Sequence, residues 1–158
     1  MKKWPWFVLA VVVICIDQAT KYWASVDLTP YHAEPICPMF NLTLAYNTGA
    51  AFSFLHNAGA WHRWFFTGFS LLMSIGLIVW ITRLPSSARL QLAALSLILG
   101  GAIGNLIDRA VLGFVIDFID IYYKHYHWPV FNMADSAICI GAVLLLIDLC
   151  KNRESKIK

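Results

Sequence analysis

Four long apolar runs set the hydrophobic pattern of this chain: about Trp4 to Trp23, Trp64 to Ile81, Leu90 to Ile107 and Met133 to Leu149. Each is close to the ~17–25 residues that a helix needs to cross a bilayer. Hydrocarbon offers the backbone no hydrogen-bond partners, so a spanning segment satisfies itself as a helix. Between the runs the pattern changes. Pro30, Pro35 and Pro38 end any helix early in the stretch 25–62. Asn41 to Tyr46 then alternates loosely, Asn47-Thr-Gly49 reads as a turn, and Ala51 to Leu55 alternates again. This predicts a small hairpin or curled sheet resting on the membrane surface. Trp61 and Trp64 suit headgroup depth. The stretch 110–131 is rich in aromatic residues, which places it in the interface, and its pattern is compatible with strand or helix.

Composition narrows the class. Hydrophobic residues make up 59% of the chain and charged residues 13%, more apolar surface than a soluble domain of 158 residues could hide. The expected fold is an all-α membrane protein: four transmembrane helices with a small extracytoplasmic β-rich loop subdomain, in a single domain over 1–158. Eight of the twelve Lys and Arg residues fall on one side: Lys2, Lys3, Arg83, Arg89, Lys151, Arg153, Lys156 and Lys158. Lys21, Arg63, Arg109 and Lys124 fall on the other. The bias makes both termini cytoplasmic and turns the loops 25–62 and 110–131 outward. The net charge of +3 requires no nucleic-acid partner.

The first run is long, carries Asp17 and lacks a small-x-small cleavage site, so it reads as an anchor rather than a cleaved signal. Ile14 is also too large for the position before a lipid-modified cysteine. Cys15, Cys37, Cys139 and Cys150 have no Cys-x-x-Cys spacing and are expected as buried small hydrophobes without disulfides.

Ionisable residues inside spans cost about 2.5–3.5 kcal/mol on insertion scales and need partners or a function. Asp17 and Lys21 are four apart on one helix face, an expected ion pair with Lys21 snorkelling to the interface. Gly100 and Gly104 form a small-xxx-small face for a neighbouring helix. Asn105, Asp108 and Arg109 follow at the outer end of that span, and Asp108 with Arg109 reads as a polar clamp. An Arg held beside carboxylates would keep them ionised. Asn132 is a plausible N-cap of the fourth helix, with Asp135 in its first turn. Asp108, Asp117, Asp120 and Asp135 thus gather at one depth, with Asp17 a little deeper. Two carboxyls sharing a proton suffice to hydrolyse an amide. One ionised acid takes a proton from water, and its protonated neighbour donates one. The residues alone leave Asp117 and Asp120 as equal candidates.

Five segments, in this order, resemble the lipoprotein signal peptidase (signal peptidase II) family: Asp17-Gln-Ala-Thr-Lys21, Asn47-Thr-Gly-Ala-Ala-Phe52, Gly104-Asn-Leu-Ile-Asp-Arg109, Val115-Ile-Asp-Phe118 and Phe131-Asn-Met-Ala-Asp-Ser136. The resemblance implies an aspartic endopeptidase with catalytic Asp117 and Asp135 and no metal or cofactor. It implies that Asn47, Gly49, Asn105, Asp108, Arg109, Asn132 and Ala134 line or support the site, with Asp17 and Lys21 structural. The implied substrate is a diacylglyceryl-prolipoprotein, cut before the lipidated cysteine. The implied setting is a monomer among the lipids of the bacterial inner membrane, with the site at its outer face and both outward loops over the substrate. Two alternatives compete. His125 and His127 with Asp117 or Asp120 could form a metallohydrolase site. A transporter or assembly factor would explain the polar spans without catalysis.

Overall fold

The structure, a computed structural model, describes residues 2–49 and 61–157. Four helices form the body: α1 (Trp4–Asp27), α2 (Trp61–Arg83), α3 (Arg89–Val111) and α4 (Met133–Ile157). All four are long and apolar enough to cross a membrane. Four strands complete the fold: β1 (Ala33–Cys37), β2 (Phe40–Asn47), β3 (Val115–Tyr123) and β4 (Tyr126–His127).

α3 is the central helix and packs on α1, α2 and α4. Its small residues permit this. A Cβ on Gly100 would sit 2.8 Å from the Ala10 carbonyl oxygen, and one on Gly104 would sit 2.5 Å from Asp17 Oδ2. The expected small-residue face therefore meets α1. Gly101 meets α4, where a Cβ would run into the Ala134 carbonyl oxygen. Gly141 returns the contact from α4, with a Cβ 2.6 Å from the Ala94 carbonyl oxygen. Where lipid replaces water, such close approach takes over from hydrophobic burial as the force that joins helices.

Large apolar side chains such as Val11, Leu72 and Leu146 are exposed on the outer faces of α1, α2 and α4. These faces meet lipid. The same logic corrects the expectation for the cysteines. Cys15, Cys139 and Cys150 are free and exposed on helices, and Cys37 is free and exposed at the end of β1. A bilayer removes the drive to bury a small hydrophobe. Two apolar clusters remain inside. One joins Ala10, Leu77, Ile81, Leu92, Leu95 and Leu99 across three helices. The other joins Ala24 of α1 and Leu28, just past its end, to Leu44, Ile116 and Phe118 of the sheet.

The sheet is antiparallel, in the order β1-β2-β3-β4. Residues 41–46 do form a strand, but its hairpin partner is β1, turned through Met39 at φ 70°. Pro35 lies in this edge strand, the position in a sheet where proline is tolerated. The stretch Ala51–Leu55, expected as the second strand, lies outside the described residues. The other partner of β2 is β3, from the second loop, with Ala45 opposite Asp117 and Asn41 opposite Asp120. The run of β-branched and aromatic residues from Val115 to Tyr123 is thus a strand. The helices outlast the apolar runs: α1 continues to Asp27 and α3 to Val111. Hydrophobicity marks the hydrocarbon, whereas a helix continues into the interface.

The glycine contacts make a stability test. Gly101→Ala is expected to lower the melting temperature in detergent by several degrees, the signature of overpacking worth about 1–3 kcal/mol. Gly68→Ala, where nothing lies within 4 Å of the added Cβ, should be neutral or stabilising.

Candidate active site

The start of α4 builds one wall of the site. Asn132 Oδ1 accepts the Asp135 N–H at 2.9 Å, and Asp135 Oδ2 accepts the Asn132 N–H at 3.3 Å. This reciprocal cap confirms the expected N-cap and folds the Asp135 carboxyl back over the first turn. Asp135 Oδ1 accepts from Asn105 Nδ2 at 2.8 Å. Asn132, fully buried, donates from Nδ2 to Asp117 Oδ1 at 2.7 Å, with Asn105 Oδ1 and the Ile116 carbonyl also in reach. Asn47 Nδ2 donates to Asp117 Oδ2 at 3.0 Å. The Gly49 N–H bonds Asn47 Oδ1 at 3.1 Å, which fixes that amide. Asp117 on β3 and Asp135 on α4 thereby face one cavity of about 490 Å³. Asn47, Asn105 and Arg109 share its lining with the apolar Val115, Val130, Phe131 and Ile138.

Beneath this lies a second polar layer. Lys21 Nζ contacts Asp17 Oδ2 at 2.8 Å, Asp108 Oδ2 at 2.9 Å and Asn105 Oδ1 at 2.9 Å. The ion pair with Asp17 is as expected, but Lys21 is 1% exposed and does not snorkel. Two carboxylates and an amide inside the bundle hold the ammonium better than the interface does. Asp17 Oδ1 also accepts the Ala134 N–H at 2.8 Å, so α1 caps the first turn of α4. Ala134 itself is fully buried, and its small side chain suits the close α3–α4 contact. Asp108 accepts from Gln18 at 2.9 Å and from the Ile116 N–H at 3.1 Å, and so acts as the expected clamp, here between α1, α3 and β3.

Arg109 departs from the clamp reading. Its guanidinium lies over the Phe66 ring at 5.9 Å and reaches the Asn105 carbonyl at 3.5 Å. No carboxylate of a described residue is within ion-pair distance of it, although Asp135, Asp117 and Asp108 are close enough to interact through space. It does not hold Asp117 in the usual ionised range. Burial pushes the Asp117 carboxyl from 3.8 up to about 7, and the charge of Asp135 adds to the rise. Hydrogen bonds from Asn47 and Asn132 and the charge of Lys21 oppose it.

Asp120 differs. Three positions along a strand send two side chains to opposite faces. Asp120 accepts from His127 Nδ1 at 2.8 Å, Asn41 at 3.1 Å and Thr43 at 3.2 Å. Burial raises its pKa, and these bonds together outweigh that and bring it below 3.8. His127 is therefore spent on Asp120, and no group of three His, Cys, Asp or Glu among the described residues is placed to hold a metal ion. A second cavity, about 360 Å³, lies by Gln18, Lys21 and Asp108, whose polar atoms are already bonded to one another.

Several participants escape sequence reasoning. Gln18 lies inside a quoted motif but carries no charge to draw notice. Arg63, which caps the end of α3 through the Arg109 and Ala110 carbonyls, lies in no motif. The walls from Trp128 to Phe131 come together only through the fold.

Comparison with known proteins gives a consistent class. Two solved bacterial membrane enzymes, determined by the in meso method at 2.3 Å and 1.9 Å, share the fold with TM-scores of 0.86 and 0.80. The first is 33% identical and aligns over 96% of this chain and 91% of its own; the second is 34% identical and aligns over 92% of each. The chain is thus a multi-pass membrane protein of bacterial type. The family model for signal peptidase (SPase) II matches residues 9–151. Lipoprotein signal peptidase of Pseudoalteromonas atlantica is 51% identical, over 93% of this chain and 90% of its own. That of Acinetobacter baylyi is 53% identical, over 90% and 80%. This chain belongs to the signal peptidase II family, and is a protease.

The Asp117 environment is testable by linkage. An acid whose pKa rises on folding contributes stability that is whole below 3.8 and lost as pH rises through about 7. The melting temperature of Asp117→Asn relative to the parent protein should therefore improve from pH 5 to pH 8. A difference flat across that range would count against the raised pKa.

Proposed function

We propose that this protein is a membrane aspartic endopeptidase that removes signal peptides from diacylglyceryl-modified prolipoproteins by cutting before the lipidated cysteine. Relatives about half identical over most of the chain, named lipoprotein signal peptidase, support the substrate. The observation that carries the chemistry is the facing of Asp117 and Asp135 across one cavity, with Asp117 pushed up to about 7 by burial and by Asp135.

With its pKa raised to about 7, Asp117 is the member of the dyad suited to carry the shared proton, and Asp135 takes the role of base. Water loses a proton to Asp135 and attacks the scissile carbonyl carbon. Asp117 delivers its proton to the carbonyl oxygen, giving a tetrahedral diol. As the C–N bond breaks, Asp135 protonates the leaving nitrogen, and Asp117 recovers a proton from a diol hydroxyl. The resting dyad returns, with no metal or covalent intermediate required. Asn47 and Asn132 aim Asp117, and Asn105 aims Asp135. Gly49 fixes Asn47, while Asp108, Ala134 and Arg109 support the walls. Asp17 and Lys21 hold α1 to α3 and α4.

The charge bias supports cytoplasmic termini, with the sheet and dyad at the outer face of the inner membrane. There the acyl chains of the substrate stay in lipid, and both loops, β1–β2 and β3–β4, cover the cleavage region. The chain acts as a single domain and a monomer.

The test is cleavage of a diacylglyceryl-modified prolipoprotein by purified protein in detergent, with chelator present. Asp117→Asn and Asp135→Asn should each lower the rate by about 1,000-fold or more. Asp120→Asn should stay within about threefold, since its partners lie on the other face of the strand. Activity abolished by chelator and restored by zinc would overturn the aspartic mechanism.

A further inference from the structure

Lys21 uses its three ammonium hydrogens on three acceptors: Asp17, Asp108 and Asn105. Two of these are counter-charges. The third leads to the dyad. Lys21 Nζ has no acceptor capacity, so it admits one orientation of the Asn105 amide, with the oxygen toward Lys21. Asn132 Nδ2 approaches the same oxygen at 3.1 Å and enforces the same choice. The amide nitrogen is thereby turned to Asp135, to whose Oδ1 it donates at 2.8 Å.

We propose, resting on the aspartic reading above, that Lys21 is a positioning residue for the dyad, locking the Asn105 amide and through it the Asp135 carboxyl. Without the ammonium, the contact from Asn132 alone holds the Asn105 oxygen away from Asp135, and the anchor of the base loosens. The charge of Lys21 also reaches Asp117. The charged groups facing Asp117 are Asp135 from α4, Lys21 from α1 and Arg109 from α3. Lys21 opposes the rise that burial and Asp135 impose, so its loss raises the Asp117 pKa further.

The experiment is a kinetic cycle on the full chain in detergent, with Lys21→Met, Asn105→Ala and the double variant. Lys21→Met should lower kcat by about 10- to 100-fold, the scale of a misplaced catalytic group, with KM changed less than about twofold. The alkaline limb of kcat/KM should move to higher pH. In the Asn105→Ala background, Lys21→Met should cost less than about twofold more, because the path is already cut. A folded Lys21→Met with parent kcat and an unmoved limb, or effects that multiply in the double variant, would overturn the proposal and leave Lys21 a structural ion pair. Should Lys21→Met not fold, pairing it with Asp17→Asn removes one buried charge of each sign and keeps an acceptor for the Ala134 N–H. The same kcat and pH readouts then decide. Full activity of both Asp117→Asn and Asp135→Asn would remove the dyad itself and overturn both readings, whatever Lys21 does.

Discussion

A buried ammonium organises this molecule. Lys21 is almost wholly withdrawn from solvent, and a cation so placed persists only when its hydrogens are satisfied. Each of its acceptors also holds something else. Asp17 grips the first turn of α4 through the Ala134 N–H, and Asp108 grips the start of β3 through the Ile116 N–H. Asn105 reaches Asp135. Three helices and a strand are therefore registered around a single charge. The glycines of α3 make this possible, because a Cβ at Gly104 would collide with the very carboxylate that Lys21 needs.

Around that centre the aspartates divide by environment. Asp17 and Asp108 share a cation, and Asp120 has a histidine, an asparagine and a threonine. Asp117 has only neutral amides in contact, and a second acid nearby. The compensated acids hold structure. The under-compensated one keeps a proton available near neutral pH. One residue type thus meets very different environments according to whether its partners carry charge.

The four helices were legible because hydrocarbon imposes a length and a composition that few other structures imitate. The cap at Asn132 and Asp135 was legible because helix starts obey local rules. The sheet was only half legible. Strand alternation marks 41–46, but nothing local says that its neighbours are the proline-bearing 33–37 and a segment beyond two helices. The choice between Asp117 and Asp120 was likewise closed to spacing alone, since it depends on which face of β3 meets α4. Snorkelling is the rule for a lone lysine, but Lys21 stays inside because the second carboxylate that holds it lies on another helix, beyond the reach of local sequence. Long-range pairing, not propensity, separates what could be read from what could not.

The pairing of β2 with β3 joins residues 79 positions apart, as the Asn41–Asp120 bond shows. Asn47 precedes α2, Asp117 follows α3, and Asp135 opens α4. No partial set of helices brings these groups together. A chain made from its N-terminus inserts its first spans long before its last. During biogenesis the nascent chain consequently dwells in the bilayer with Asp117 and Asp135 still apart. Topology itself thus delays the meeting of Asp117 and Asp135 until the fourth span docks.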